Sequence, residues 1–330
     1  MKHLTMVAAA ILLASAPVLR PAQADELRLA HFVSPQHPYH AAFEWLGEAL
    51  AAETAGELTL RVFPGGELGS NAADYVTMTV EGITDLAFIL PGYTPAQFPR
   101  TLVMELPGVL DDPDAGPDGY RAAADLVAGD FRRVVPLSLW TNAFSAIFTR
   151  GRPVESLADL QGLKIRVASA PMSDLVAAWG ATPVFMPVTE LYTALQTGVV
   201  DGAVIDPGAA LVFRLSEVTD AMTIGWRANV GTFGLIMNRD RYGDLPDAQR
   251  EILTRLAAEV GDRSVAAWGN LAERGIAAFA GIDGHRVITL TPDAAAEFDA
   301  LSDQVREAEI AELEAAGIPG IAILAAMRGQ

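Results

Sequence analysis

The chain has 330 residues, 51% of them hydrophobic, no cysteine and a formal net charge of −18. That length is more than one core usually serves, so two lobes are expected, and the composition is that of a globular chain. Disulfides, thiolate metal sites and cysteine nucleophiles are excluded, and the negative charge argues against a nucleic-acid partner, whose phosphates need a basic face.

Met1–Ala24 starts with Lys2, runs through the apolar "LTMVAAAILLASAPVL" and ends in Ala22-Gln23-Ala24 before Asp25. A basic start, a short apolar stretch and small residues at a cleavage point predict a cleaved secretory signal. No later stretch has the uninterrupted apolar length of a membrane helix. Next, Leu27–Pro35, "LRLAHFVSP", reads as a strand and loop. It leads into the helix "PYHAAFEWLGEALAAETAG", with Pro38 in its first turn, Gly56 past its end, and Phe43, Leu46 and Leu50 on one face. "FPGGELG" reads as a turn. Tyr75–Gly92, "YVTMTVEGITDLAFILPG", reads as helix, glycine stop, strand over Ile83–Leu90 and proline stop. Asp111–Asp118, "DDPDAGPD", reads as a surface loop. Val134–Thr149 is a long extended run able to cross between lobes.

The second half repeats the pattern. "LKIRVASAP" at Leu163–Pro171 answers the first strand, with a helix over roughly Met172–Gly180. "MPVTEL" at Met186–Leu191 answers "FPGGEL", and Glu190–Gly208, "ELYTALQTGVVDGAVIDPG", answers Tyr75–Gly92. Aligning Gly82 with Gly198 superposes Asp85 on Asp201, Pro91 on Pro207 and Gly92 on Gly208. In this reading Thr189 caps a helix, Gly198 ends it and Val199–Ile205 is a strand covered on both faces. A second crossing run spans Gly231–Asp240. A long helical region follows at about Pro246–Ala280, and a last helix runs from Thr291-Pro292 to before Gly317.

Strands alternating with helices imply mostly parallel α/β sheets, and such sheets bind ligands at the carboxyl ends of their strands. Facing lobes would bring loops His31–Tyr39, Leu90–Tyr93, Arg166–Pro171 and Ile205–Gly208 to one cleft. The expected division is a signal at 1–24, lobe I at 25–143 plus about 231–272, and lobe II at 144–230 plus about 273–330. Crossings of this kind act as a hinge.

The sequence carries no GxSxG, HExxH, Walker or GxGxxG motif. His31, His37 and His40 read either as metal ligands or as a cleft-rim loop of bonded and solvated histidines. No acid-rich ligand pattern accompanies them, so no metal is expected. Asp85 and Asp201, each just past a helix-ending glycine, read as turn acceptors rather than paired catalytic carboxylates. Arg166 ends an apolar strand at the expected cleft and needs a partner. The partner is either a protein acid such as Asp206 or a ligand carboxylate that fits its planar fork.

The signal, "HP" after the first strand, "FPGGELG", "ELP" at Glu105–Pro107, "LKIRV" and "ELYTALQTGVVDG" together resemble the extracytoplasmic solute receptors of tripartite ATP-independent periplasmic (TRAP) transporters, DctP type. The likeness covers essentially the whole mature chain. It implies an α/β, two-lobed periplasmic binding protein fold with interlobe crossing strands and a long C-terminal helical region. It also implies a periplasmic location, no enzymatic activity, no cofactor, a small organic-acid ligand, and small and large membrane permease subunits as partners. Arg166 falls where the family has an arginine paired bidentately with the ligand carboxylate.

Two departures bear on the ligand. Asp206 stands where the family often has asparagine. An acid there is unfavourable beside a carboxylate unless it pairs with Arg166, is protonated, or meets a cationic ligand group. Many members carry a second arginine on the first crossing, where this chain offers Phe144, Ser145 and Ala146. A monocarboxylate with an apolar, hydroxyl-bearing or amino-bearing remainder is therefore expected over a C4-dicarboxylate. A zwitterionic osmolyte or amino acid is an alternative ligand. A sensor receptor or a secreted α/β enzyme is an alternative role. Tyr93, Phe144, Phe185 and Trp226 are candidate walls, and His37, Asn229 and Phe233 complete the candidate cleft set.

Overall fold

The computed structural model describes residues 24–330, so the expected signal segment lies outside the described residues apart from Ala24. Among the described residues no helix is long and apolar enough to cross a membrane. Eleven strands are described: β1 Asp25–Ala30, β2 Leu58–Phe63, β3 Leu86–Ile89, β4 Val134–Thr141, β5 Ala146–Thr149, β6 Lys164–Val167, β7 Thr182–Phe185, β8 Gly202–Ile205, β9 Ala221–Ile224, β10 Thr232–Asn238 and β11 Arg286–Thr289. They form two sheets, ordered β2-β1-β3-β10-β4 and β11-β9-β5-β8-β6-β7.

The repeat read from the sequence is a repeat in space. Each sheet has a parallel trio, β2-β1-β3 or β7-β6-β8. An antiparallel strand from an interlobe crossing, β10 or β5, lies beside that trio. The registers match as well, with Leu29 opposite Leu86 and Ile165 opposite Gly202, which are aligned positions of the repeat. β3 and β8 are buried along their whole length, as parallel strands covered on both faces should be.

The same local chemistry stops the helix before each of these strands. Gly82 and Gly198 adopt φ of 71° and 75°, open to glycine without a Cβ clash. The next N–H, from Ile83 or Val199, returns to the carbonyl of Met78 or Ala194 at 2.9 Å in each case. These caps shorten both expected strands from their N-terminal ends and leave Ile83 and Val199 45% and 54% exposed. Asp85 and Asp201 then tie each strand to its neighbour. Their carboxylates accept the backbone N–H of Arg28 and of Lys164, both at 2.8 Å. Their own N–H groups donate to the carbonyls of those residues at 3.0 and 2.8 Å.

Other helices follow their sequence signals. Pro38–Glu53 is capped by the His37 ring and buries Phe43, Leu46 and Leu50, each worth roughly 1.5–3 kcal/mol when fully buried. Ala170–Ala178 and Pro292–Ala315 also form, the latter capped by the Thr291 hydroxyl. The Thr189 cap does not form. The helix starts two residues earlier than expected, at Val188, with Pro187 in the cap position and no side-chain acceptor there. Asp111–Asp118 is not simply a loop, because a helix begins at Gly116, where Pro117 pre-sets the first turn.

The extended run Val134–Thr149 breaks at 142–145 to pass from one sheet to the other, and 225–231 carries the chain back. Helix Asp247–Ala280 spans both lobes: Arg255 pairs with Glu53 of lobe I, and further along Gly275 abuts the Pro207 backbone of lobe II. The end of the chain departs from the expected division. Helix Gly320–Met327 packs on Gly116–Ala122 and on the short helix Thr101–Glu105, so the C-terminus returns to lobe I. Its Ile323 and Met327 are buried there, and Arg328 donates to the carbonyl of Gly108 at 2.6 Å.

Candidate ligand site between the lobes

β6 delivers Arg166 to the interlobe cleft. The side chain is 2% exposed, its Nε donates to the Met186 carbonyl at 3.0 Å, and its Nη2 has no hydrogen-bond partner. Burial alone pulls its pKa down, against the opposing pull of Tyr93 and Asp206. A buried guanidinium nitrogen without an acceptor is costly, and a carboxylate supplied from outside would relieve that cost.

Asp206 lies just past the end of β8, also 2% exposed. It does not form an ion pair with Arg166. Its oxygens instead accept from Asn142 Nδ2 at 2.8 Å and from Trp268 Nε1 at 2.6 Å. Desolvation pushes its pKa up to about 6, against the pull of these donors. Asn142 belongs to the first crossing and Trp268 to the long helix, so Asp206 joins two of the segments that connect the lobes.

These groups line a cavity of about 60 Å³. Lobe I supplies mostly aromatic wall, namely Phe32, Tyr39, Phe88, Tyr93 and Phe233. Phe213 and Met172 of lobe II and Trp268 of the long helix close it. His37 stacks on Trp268 at 5.0 Å between ring centroids. Its Nδ1 accepts from the Tyr39 N–H, which leaves Nε2–H as the ring's donor, and burial holds its pKa down at about 3. Arg166 and Asp206 are nearly closed to solvent, so a ligand reaches them only when the lobes part.

Two contacts between the lobes lie beside the cavity. The Tyr93 hydroxyl of lobe I accepts from the Val188 N–H of lobe II at 2.9 Å. This is the cap that Thr189 does not provide, supplied to the start of helix Val188–Thr197 from the opposite lobe. Gly92 meets the backbone of Ala168 and Ser169 so closely that a Cβ at this position would lie 2.7 Å from Ser169 Cβ and 2.9 Å from Ala168 O. Its repeat partner Gly208 faces the long helix instead, where a Cβ would lie 3.3 Å from Leu271 and 3.0 Å from Asp206 Oδ1.

All four expected cleft loops contribute to the wall. Of the residues singled out from the sequence, Arg166, Asp206, Ser145, Tyr93, His37 and Phe233 lie on it. Ser145 Oγ is buried there without a partner. The other four lie elsewhere. Phe185 is 48% exposed at the end of β7, edge-on to Tyr93 at the rim. Trp226 is in the lobe II core against Trp179 and Phe298. Phe144 is half-buried between the two cores. Asn229 is buried behind the wall, its carbonyl accepting from the Ser145 N–H at 2.9 Å. Sequence reasoning missed Asn142, Trp268 and the strand aromatics, which in sequence are indistinguishable from ordinary core and helix residues. The histidines form no metal set: His31 Nε2 meets His40 Nδ1 at 3.0 Å, and among the described residues no three His, Cys, Asp or Glu side chains gather to hold an ion.

Comparison with known proteins places this geometry. The model of the DctP family, bacterial extracellular solute-binding protein family 7, matches residues 29–312. A solute-binding protein of Albidiferax ferrireducens is 29% identical over 213 residues, a match spanning 62% of each chain. Among solved structures, a marine metagenome TRAP solute-binding protein specific for aromatic acid ligands, in complex with metahydroxyphenylacetate, is 25% identical. Its TM-score is 0.86, with 92% of this chain and 98% of that one covered. A TRAP periplasmic solute-binding protein from Bordetella bronchiseptica with bound mandelate is 26% identical, with a TM-score of 0.83 over 92% and 98% of the two chains. These are solute-binding proteins and not enzymes. With its two lobes, crossing strands and interlobe cavity, the chain belongs to the DctP family of bacterial extracellular solute-binding proteins.

Proposed function

We propose that the protein captures an aromatic monocarboxylate between its lobes in the periplasm and delivers it to the small and large membrane subunits of a TRAP transporter. One observation carries the ligand class: a single buried arginine with an unpartnered nitrogen, set in a cavity lined also by seven phenylalanine, tyrosine and tryptophan side chains. The carboxylate pairs with Arg166 while Phe32, Phe88, Phe233 and Trp268 enclose the ring. Burial of a ring and a carboxylate that fills an unmet bond both favour the closed lobes, and such differential contacts drive closure. The proteins that bind metahydroxyphenylacetate and mandelate support the same ligand class.

A C4-dicarboxylate would need a second cation, and Arg166 is the one basic side chain other than the neutral His37 among the described cavity-lining residues. Asp206 is the one acid among the described cavity-lining residues, and its oxygens already accept from Asn142 and Trp268, so a zwitterion's cation would have to share them or sit against the aromatic rings. The test is a thermal-shift screen of aromatic acids, C4-dicarboxylates and amino-acid osmolytes, followed by titration calorimetry. Aromatic acids raising the melting temperature supports the reading. Succinate or a betaine binding in preference to every aromatic acid overturns it.

A further inference from the structure

Glu105, in the short lobe I helix Thr101–Glu105, is 3% exposed. Its Oε1 accepts from the Thr232 N–H at 2.9 Å, and its Oε2 has no hydrogen-bond partner. The Ser169 hydroxyl of lobe II lies beside this carboxyl, where donating to the ionised form it opposes part of the burial effect, and it is also buried without a hydrogen-bond partner. Ser169 makes the tight contact with Gly92, and helix Ala170–Ala178 of lobe II packs on Thr101–Glu105, so both groups are buried where the lobes meet.

We infer that Glu105 is a proton-operated latch between the lobes: protonated, it donates a hydrogen bond to Ser169 across the closed cleft, and ionised, it favours release. The inference rests on the lobes opening and closing around a solute, but not on which solute. No ion pair among the described residues includes Glu105. Its titratable neighbours are the Tyr93 and Tyr120 hydroxyls, both kept neutral by burial. Of the other elements packed on Thr101–Glu105, β10 carries no titratable side chain. Helix Gly320–Met327 carries none either, and Arg328 just beyond it turns to Gly108. Helix Ala170–Ala178 carries Asp174, which faces Glu309 instead. An ionised Glu105 would thus be a buried charge without a cation, and opening the lobes returns it to water.

Desolvation sets the direction of the pH effect. In the closed form it raises the Glu105 pKa from 4.5 to about 7. The closed form therefore binds the proton more tightly than an open, hydrated form. The closed-to-open ratio should fall by about tenfold per pH unit between about pH 4.5 and pH 7, and level off above that. Asp206 titrates in the same range, so the variants must separate the two acids.

The chain has no cysteine, so cysteines introduced at the exposed, repeat-equivalent positions Ile83 and Val199 take fluorescent labels selectively. Energy transfer between them reports the closed fraction from pH 4.5 to 8.5, without ligand and with 3-hydroxybenzoate. The expected result is a closed fraction that falls with rising pH in the parent. The part of the dependence between about pH 6 and 7, above the Asp206 range, should be lost in E105Q, which keeps the shape but cannot ionise, and kept in D206N. S169A should lower the closed fraction at acid pH while leaving Tm within a few degrees. An E105Q profile that matches the parent, or a parent profile flat across the range in the ligand-free protein, overturns the latch. Failure of 3-hydroxybenzoate to bind counts against the aromatic-acid reading alone, because the ligand-free profile still decides the latch.

Discussion

Lobe I and lobe II are built on one plan and face the cleft with different chemistry. Behind the cleft the plan is repeated: a left-handed glycine cap, then an aspartate whose carboxylate takes a backbone N–H of the neighbouring parallel strand. At the cleft the equivalence ends. β6 carries the buried Arg166, and Asp206 follows β8. The matching ends of β1 and β3 lead into Phe32 and Leu90, and lobe I contributes aromatic wall. The scaffold positions constrain backbone geometry and so keep their residue types. The cleft positions meet solvent or ligand when the lobes part, and there each half is free to specialise.

The largest break in this asymmetry is removal of the cation. Arg166→Ala should weaken binding of an aromatic acid by at least about thirtyfold, since truncating one partner of a buried charge pair costs roughly 2–5 kcal/mol. Stability without ligand should change little, because loss of the Nε bond to the Met186 carbonyl is offset by removal of a buried charge whose Nη2 has no partner. Calorimetry showing unchanged affinity would remove Arg166 from the site. Next in size, Gly92→Ala places a methyl into Ser169 and should hold the lobes apart, costing at least about tenfold in affinity by lost closed-state contacts. Gly208→Ala should act differently, by pushing on Leu271 and Asp206, and so lower Tm as well. Equal Tm losses for the two variants would contradict this split.

Asp206→Asn should have a smaller, pH-dependent effect. The closed pKa of Asp206 is raised, so its contribution to stability is greatest at low pH and is lost as pH rises from about 4 through about 6. Over that window wild-type stability should fall by up to about 3 kcal/mol relative to the asparagine variant. Affinity for a carboxylate should be a few-fold higher in the variant at pH 8 and equal at pH 5, which calorimetry at the two pH values would test. The smallest effects sharpen the likeness of the halves. Asp201→Asn should cost about 1 kcal/mol in urea unfolding, the worth of a backbone bond. Asp85→Asn should cost somewhat more, because Asp85 also pairs with the half-exposed Arg28 at 3.0 Å.

Much of this architecture was legible from local signals. Gly82, Gly198, Pro38, Thr291-Pro292 and the paired aspartates act on neighbouring backbone, and their consequences can be read from a few residues of sequence. The ends of β3 and β8 were overestimated because the glycine caps claim the residue after them, a competition that hydrophobicity alone does not reveal. Aromatic roles were the least legible. Trp226 and Phe185 looked like wall residues and lie in the lobe II core and on the rim, whereas Trp268, not singled out from the sequence, binds Asp206.

The sequence by itself determined the repeat, the two sheets with their crossings, and an arginine at a strand's end. Each depends on periodicity, caps or position within one element. Only the tertiary structure decided which groups share the cleft: Asp206 with Asn142 and Trp268 rather than with Arg166, Tyr93 capping a helix of the other lobe, and Glu105 opposite Ser169. These partners are 62 to 95 residues apart in the chain. Their meeting is fixed by how two lobes pack against each other, and no local pattern encodes that.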